Sequence, residues 1–296
     1  MSDKLHIAIF GNPMADDSAI GHTAELIGML ADGGCTVDVE SRFFDSLRQR
    51  SELAGVVRRV DTPDTDTDMI ISIGGDGTFL RAVRWEEVGL IPIAGLNGGH
   101  LGYLTGWTLD EVPEFVQALS EGCYRAERRS MIKVESEALR GRDYWPYALN
   151  EVAVLKESSA TMIGVGAEIN GAYLADYDAD GLIVATPTGS TGYNLSVGGP
   201  ILEPSLPAWV LSPVAAHSLN MRPLVVSDDS RLRLLPRSRT QHVLLSLDGR
   251  SISVPDNQPL MLTKASFTMA VVRPADATFA DTLREKLYWG IGGRLR

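Results

Sequence analysis

The first 120 residues alternate short apolar runs with segments of helical period, and that alternation restricts the fold more than any other feature of the chain. Residues 5–10, 36–39, 69–73 and 90–94 read as strands, and residues 23–31, 47–57, 78–85 and 109–119 read as helices. Strands joined through helices lie parallel, because each helix carries the chain back to the starting end of the sheet, and the helices then cover both faces. A Rossmann-like α/β domain with a parallel sheet is therefore expected over residues 1–125. Ligands of such sheets bind beyond the carboxyl ends of the strands. Two glycine loops emerge there: Gly74-Gly75-Asp76-Gly77-Thr78 and Gly95-Leu96-Asn97-Gly98-Gly99-His100.

In the first loop a carboxylate is suspended among glycines, just before a helix. Glycine permits positive φ and close approach of the backbone to a ligand, and the free N–H groups of the following helix face the same point. That arrangement suits phosphate, with Asp76 as the reactive group. A plain turn with an aspartate helix cap is the alternative for this loop taken alone.

Past residue 125 the helical period nearly vanishes. Runs at 131–135, 150–155, 164–169, 182–185, 232–235, 243–247 and 267–272 read as strands between Gly, Pro, Asp and Asn. The expected organisation is a β-rich second domain over 126–280 and a C-terminal helix over 281–296, with Leu283 and Leu287 on one face, packing back on the first domain. The overall class is α+β. The acidic, Thr-rich stretch 61–68 reads as an exposed loop.

Composition narrows the function. With 27 basic residues against 38 acidic ones the net charge is −11, which disfavours nucleic acid or an anionic membrane as partner. No apolar stretch approaches the roughly 18 residues of a membrane span, and a cytoplasmic protein is expected. Cys35 and Cys123 lack metal or redox spacing and read as inert, and the five histidines form no ligand pair, so no protein-made metal site is expected.

A second motif runs from Asp178-Ala179-Asp180-Gly181 through a strand into Thr186-Pro187-Thr188-Gly189-Ser190-Thr191-Gly192-Tyr193-Asn194-Leu195-Ser196, then Val197-Gly198-Gly199-Pro200-Ile201. Hydroxyls, free amides and one aromatic ring after a strand suit a polar ligand with rings to stack and hydroxyls to bond. A third element is Asn150-Glu151 at a strand start. The asparagine amide has a donor and an acceptor for an adenine edge, and the glutamate can accept from two ribose hydroxyls.

Taken in order, these motifs resemble the NAD kinase family, together with Gly99-His100-Leu101-Gly102-Tyr103-Leu104, His217-Ser218-Leu219-Asn220-Met221-Arg222-Pro223-Leu224 and Leu247-Asp248-Gly249-Arg250. The similarity runs from the first strand to about residue 275. The Thr186-to-Ser196 run is the specific part, since the Gly-Gly-Asp-Gly loop is shared with diacylglycerol-type lipid kinases and phosphofructokinases. The resemblance implies phosphorylation of the 2′-hydroxyl of the adenosine ribose of NAD, from ATP or polyphosphate, to give NADP.

It also implies roles for individual residues. Asp76, flanked by Gly75 and Gly77, would take the hydroxyl proton. Asn150, Glu151, Thr188, Thr191 and Gly192 would hold the adenosine half. Tyr193 would offer a ring face, Asn194 would be a further substrate contact, and Asp180 and Ser196 would partner the nicotinamide carboxamide. Tyr103 would pack near adenine, with Leu104 adding only bulk. Arg81 matches the family's basic residue near the phosphates or is a solvated helix charge. Thr161 and Asp178 stand where relatives often carry basic residues, and Arg250 stands in place of a glutamine or asparagine, able to reach a phosphate or a surface acid. Magnesium would arrive with the donor, and a homodimer or homotetramer is implied. A lipid kinase and a non-catalytic NAD sensor are the competing readings.

Overall fold

The computed structural model describes residues 4–53, 57–86, 89, 91–99, 102–158 and 162–287. The chain divides into two compact units, one formed by residues up to Arg128 together with those from Met269 on, the other by Arg129–Thr268.

The first unit opens with β1 (His6–Gly11), α1 (Asp17–Asp32), β2 (Thr36–Glu40), α2 (Ser41–Arg50), β3 (Val57–Val60), β4 (Met69–Ile73), α3 (Asp76–Glu86), β5 (Ile93–Asn97), the short β6 (Trp107–Thr108) and α4 (Val112–Glu121). The central strands are apolar on both faces, and Ile7, Ala8, Ile9, Ile70 and Ile71 are fully buried. In α1 the Asp16 carboxylate caps the Ala19 amide at 2.8 Å, and Ile20, Leu26, Ile27 and Leu30 form the stripe that meets the sheet.

Strands β5, β4, β1, β2 and β3 are adjacent in that order and all parallel. The chain moves outward from β1 to β3 and then returns to the other side of β1 with β4. That reversal creates a switch point, and the loop after β4 emerges beside it.

Two sequence expectations shift here. The helix placed at 47–57 lies earlier, at Ser41–Arg50, where the Glu40 carboxylate caps the Phe43 amide at 2.9 Å. Phe43 and Leu47, four apart, are its buried face, and Val57 opens a strand. Helix α3 starts at Asp76 itself, two residues before the expected position.

The second unit contains most of β7 (Tyr124–Glu135), then β8 (Tyr147–Ala148), β9 (Glu151–Lys156), β10 (Ile163–Ile169), β11 (Ala172–Ala179), β12 (Gly181–Ala185), the single-turn α5 (Tyr193–Ser196), β13 (Ala208–Val214), β14 (Leu224–Ser227), β15 (Leu232–Arg237), β16 (His242–Leu247), β17 (Arg250–Pro255) and the start of β18 (Leu260–Pro274). One antiparallel sheet runs β14-β13-β12-β9-β16-β17. In the other, β11, β10, β15 and the start of β18 pair antiparallel. Alternate residues of both sheets, among them Val152, Val154, Val184, Val165, Leu234 and Leu262, share one core, as the period of two requires.

The second unit ends well before residue 280. Val271 and Val272 of β18 pair in parallel with Ile93 and Ala94 of β5, which places the last part of that strand in the first unit. Helix α6 (Phe279–Leu287) follows, with Leu283 buried.

Candidate active site

In the first unit the loop after β4 is shaped by close approach. Gly74 has φ +136°, and a Cβ there would lie 2.7 Å from Thr78 Oγ1. The amides of Thr78 and Phe79 both donate to the Gly75 carbonyl, closing the first turn of α3. Asp76 is thereby held at the end of β4, and its carboxylate accepts from the Tyr103 amide at 2.9 Å and the Leu104 amide at 3.1 Å. The turn that presents these amides requires glycine at 102, where a Cβ would lie 2.0 Å from Asp76 Oδ1. The Gly102 amide donates to Thr105 Oγ1 at 2.6 Å, so the turn is fastened internally as well.

Leu104 thus does more than add bulk, because its main chain orients the acid. Tyr103 lies beside Asp76, and its buried hydroxyl has no partner among the described residues; burial, reinforced by the Asp76 charge, pushes that hydroxyl's pKa up. Arg81 is exposed, as a solvated helix charge would be, and its guanidinium also folds back to donate to Thr78 Oγ1 at 3.1 Å. Gly77 is exposed, with open space around its Cα. His100 and Leu101 lie outside the described residues.

Two residues of this half were not anticipated. Arg273, buried near the end of β18, donates to the Thr105 carbonyl at 2.8 Å, to the Tyr103 carbonyl at 3.4 Å and to Thr282 Oγ1 of α6 at 3.0 Å. Lys286, on the same helix, is a partly buried ammonium whose pKa burial pushes down, against the opposing charges of Asp76 and Glu285. Both lie far from the loop in sequence, and no local motif marks them.

In the second unit the counterpart is built on Asp248. It sits at φ +49° beside Gly249 at φ +77°, in the turn between β16 and β17. Its carboxylate accepts from three consecutive amides, those of Leu149 at 2.7 Å, Asn150 at 2.8 Å and Glu151 at 3.0 Å. Burial pushes the Asp248 pKa up while the three amides pull it down. The segment so fixed presents Asn150 and Glu151, whose Oδ1 and Oε2 atoms are buried without a partner among the described residues. Buried acceptors are normally satisfied, so two orphans side by side mark a place for ligand donors. Burial, with the Asp248 charge adding to it, pushes the Glu151 pKa up to about 7, against the Tyr193 amide that donates to it.

The loop after β12 packs on this segment. Thr186 bonds the Asn150 carbonyl through its amide and the Leu149 carbonyl through its hydroxyl. A Cβ on Gly189 would lie 2.0 Å from the Asn150 carbonyl oxygen, and one on Gly192 would lie 3.0 Å from Glu151 Oε2. Thr188 is buried and accepts from Arg129 at 3.4 Å, Thr191 donates to the Thr188 carbonyl at 3.3 Å, and the Tyr193 ring is 38% exposed. The structure therefore gathers Asn150, Glu151, Thr188, Thr191, Gly192 and Tyr193.

Other expected contacts are placed elsewhere. Asn194 is fully buried: its Nδ2 donates to the Ser190 and Pro200 carbonyls, each at 3.0 Å, and its Oδ1 accepts from Ser212 at 2.6 Å. It shapes the loop instead of facing a ligand. Ser196 is exposed at the end of α5. Asp180 pairs with Lys156 at 2.8 Å, at the opposite end of β12 and β9 from Glu151, a strand length of about 17 Å away. Asp178 is exposed on β11, opposite Gly164. Arg250 donates to the Trp145 carbonyl at 2.9 Å and the Tyr147 carbonyl at 2.7 Å and lies over the Tyr144 and Trp145 rings. These contacts tie it to main chain, whereas the sequence points to a phosphate or a surface acid. Thr161 lies outside the described residues.

Comparison with known proteins follows the same division. Residues 7–124 match the ATP-NAD kinase N-terminal domain family and residues 149–273 match the ATP-NAD kinase C-terminal domain family. The chain is 42% identical over 289 residues to the NAD kinase of Porphyromonas gingivalis, covering 97% of this chain and 99% of that one. It is 40% identical over 294 residues to that of Bacteroides fragilis, covering 98% and 100%. Among solved structures, an Archaeoglobus fulgidus NAD kinase in complex with ATP aligns with TM-score 0.70 at 27% identity, over 91% of this chain and 93% of that one. Yeast NADH kinase complexed with NADH aligns with TM-score 0.88 at 24% identity, over 99% and 90%, a likeness of fold. With both halves matched and relatives this similar along nearly the whole length, the chain belongs to the NAD kinase family.

Proposed function

We propose that the chain transfers the terminal phosphoryl group of ATP to the 2′-hydroxyl of the adenosine ribose of NAD, with Asp76 accepting the hydroxyl proton. The observation that carries this reading is the amide-held carboxylate at the switch point of a parallel sheet. Each Asp76 oxygen already receives one main-chain N–H and keeps a second lone pair, so the acid is oriented and still able to accept a hydroxyl. Phosphoryl transfer passes through a loose transition state in most analyses. Positioning and charge neutralisation then dominate, and a modest base acting late suffices.

The dinucleotide is read by Asn150 and Glu151. Their oxygens, unpartnered among the described residues, suit an adenine amino group and ribose hydroxyls, with Thr188 and Thr191 completing the adenosine site and Tyr193 offering a ring; the Gly192 N–H is taken by the Gly189 carbonyl at 2.9 Å, so Gly192 contributes close approach only. Ser196 remains the carboxamide candidate, while Asp180, distant and paired with Lys156, belongs to the scaffold. Magnesium would travel with the donor phosphates and supply charge neutralisation there. Asp76 is the carboxylate beside them, and the three-residue ligand grouping His6, Asp64 and Asp66 lies toward the opposite end of β1. Self-association as a homodimer or homotetramer is part of the proposal and is checked by light scattering.

The test is NADP formation by purified protein with magnesium, each donor (ATP, polyphosphate) and each acceptor (NAD, NADH). ATP with NAD is expected to give product, and Asp76→Asn to lose at least about a hundredfold in kcat. Unchanged turnover in that variant removes Asp76 from its assigned role.

A further inference from the structure

We propose that Arg273 is a positioning residue for phosphoryl transfer, and that α6, bound to the same guanidinium, belongs to the machinery that holds Asp76. The proposal rests on the reading of Asp76 as the base. Its ground is the two-sided geometry of the 102–105 turn. The N–H side of that turn faces Asp76, through the Tyr103 and Leu104 amides. The carbonyl side faces Arg273, whose Nη1 donates to Thr105 O at 2.8 Å and Tyr103 O at 3.4 Å. Peptide units are rigid planes, so fixing a carbonyl fixes the direction of the N–H across the same bond. The Tyr103 carbonyl shares its peptide plane with the Leu104 amide, and the Arg273 contact therefore bears directly on a hydrogen bond to Asp76.

Arg273 is only 5% exposed and Thr105 is fully buried, so this is an interior clamp with little competition from water. The planar guanidinium serves two directions at once, because Nη2 donates to Thr282 Oγ1 at 3.0 Å. Thr282, itself buried, lies in the first turn of α6, and the helix continues to Lys286. The Lys286 ammonium is close enough to Asp76 to feel its charge, yet neither residue is in an ion pair among the described residues. Helix α6 is thus joined by hydrogen bonds to the turn that holds the acid and carries a cation within electrostatic reach of it.

The experiment is steady-state kinetics on the full chain with ATP, magnesium and NAD, together with calorimetric NAD binding. Arg273→Met is expected to lower kcat about a hundredfold, the scale of a misplaced catalytic group. Arg273→Lys should lose about tenfold, since an ammonium lacks the fork. Thr282→Val, which frees the helix and leaves the guanidinium, should lose several-fold. In all three the KM and dissociation constant for NAD should stay within about twofold, because the adenosine-binding residues lie in the second unit. Hydrogen exchange at the Tyr103 and Leu104 amides should quicken in the Arg273 variants.

A kcat within about twofold of the parent in Arg273→Lys and Thr282→Val overturns the proposal even if Arg273→Met does not fold. So does a loss of NAD affinity parallel to the loss of kcat, which would mark a merely structural role. Asp76→Asn in the same assay separates the two claims: activity retained there defeats the base reading. Activity lost there but kept in the Arg273 and Thr282 variants defeats only the positioning role.

Discussion

Glu151 allows the sharpest quantitative test. Its carboxyl is pushed from an ordinary 4.5 up to about 7 by burial, with the Asp248 charge adding to it. The native state therefore holds a proton on Glu151 over a range where the unfolded chain has released it. Stability from this group is fully present below about pH 4.5 and is lost progressively as pH rises to 7. At roughly 1.4 kcal/mol per pKa unit, the rise to about 7 sets a ceiling of about 3 kcal/mol, most of which falls between pH 5 and pH 8.

Glu151→Gln removes the titration. The wild-type chain should lose about 2 to 3 kcal/mol more than this variant between pH 5 and pH 8 in urea unfolding, whatever the offset between them. That offset is set by how the new amide is satisfied, so the slope difference carries the test. Parallel stability profiles would refute the reasoning, since they would mean that Glu151 is not buried beside Asp248 as described. In the same variant NAD binding should weaken, because an amide cannot accept two ribose hydroxyls as a carboxylate does.

Two further substitutions probe the scaffold of each half. Gly102→Ala places a Cβ 2.0 Å from Asp76 Oδ1, so kcat should fall about a hundredfold while calorimetric NAD affinity holds; unchanged turnover would mean the acid need not sit where it does. Asn194→Ala removes three hydrogen bonds, two of them buried, and leaves the Ser190 and Pro200 carbonyls without that donor. It should destabilise by about 2 to 4 kcal/mol in urea unfolding, and a loss below about 0.5 kcal/mol would show that the loop is held by something else.

The features legible in the sequence are those encoded locally. Met69–Ile73 is buried at every position and almost wholly apolar, and glycines around an acid at the end of such a strand announce a ligand loop from residue order alone. The helix expected from residue 47 begins six residues earlier because its start depends on the Glu40 cap and on Phe43 packing, while the apolar residues beyond Leu47 imitate the same period. Strands β11 and β14 carry few buried residues and escape a pattern search.

Side-chain roles are less legible than elements, because residue type does not report burial. Asn194 looks like a ligand contact by composition and is a sealed structural amide. Arg250 looks like a phosphate ligand and is a main-chain tie. The groups that orient the reactive residues stand far away in sequence, 27 and 28 positions for the amides on Asp76 and 168 for Arg273 on Thr105. Contacts of that range arise from the sheet order, which no local motif contains.

Both halves solve one problem in the same way. Asp76 and Asp248 are each held by consecutive main-chain amides, and the Arg250 charge also acts on Asp248. Neutral N–H donors on a rigid turn favour the charged form as a cation would, but they fix the direction of the carboxylate without neutralising it. Amides also need no long side chain to be ordered when they form the contact, so the geometry is set by the fold itself. In a chain of net charge −11, Lys286 feels the Asp76 charge and, among the described residues, is in no ion pair, which on the proposed function leaves it for phosphate. An acid so held can act as base and still have positive charge within reach for the group being transferred, which is the combination that phosphoryl transfer to a hydroxyl demands.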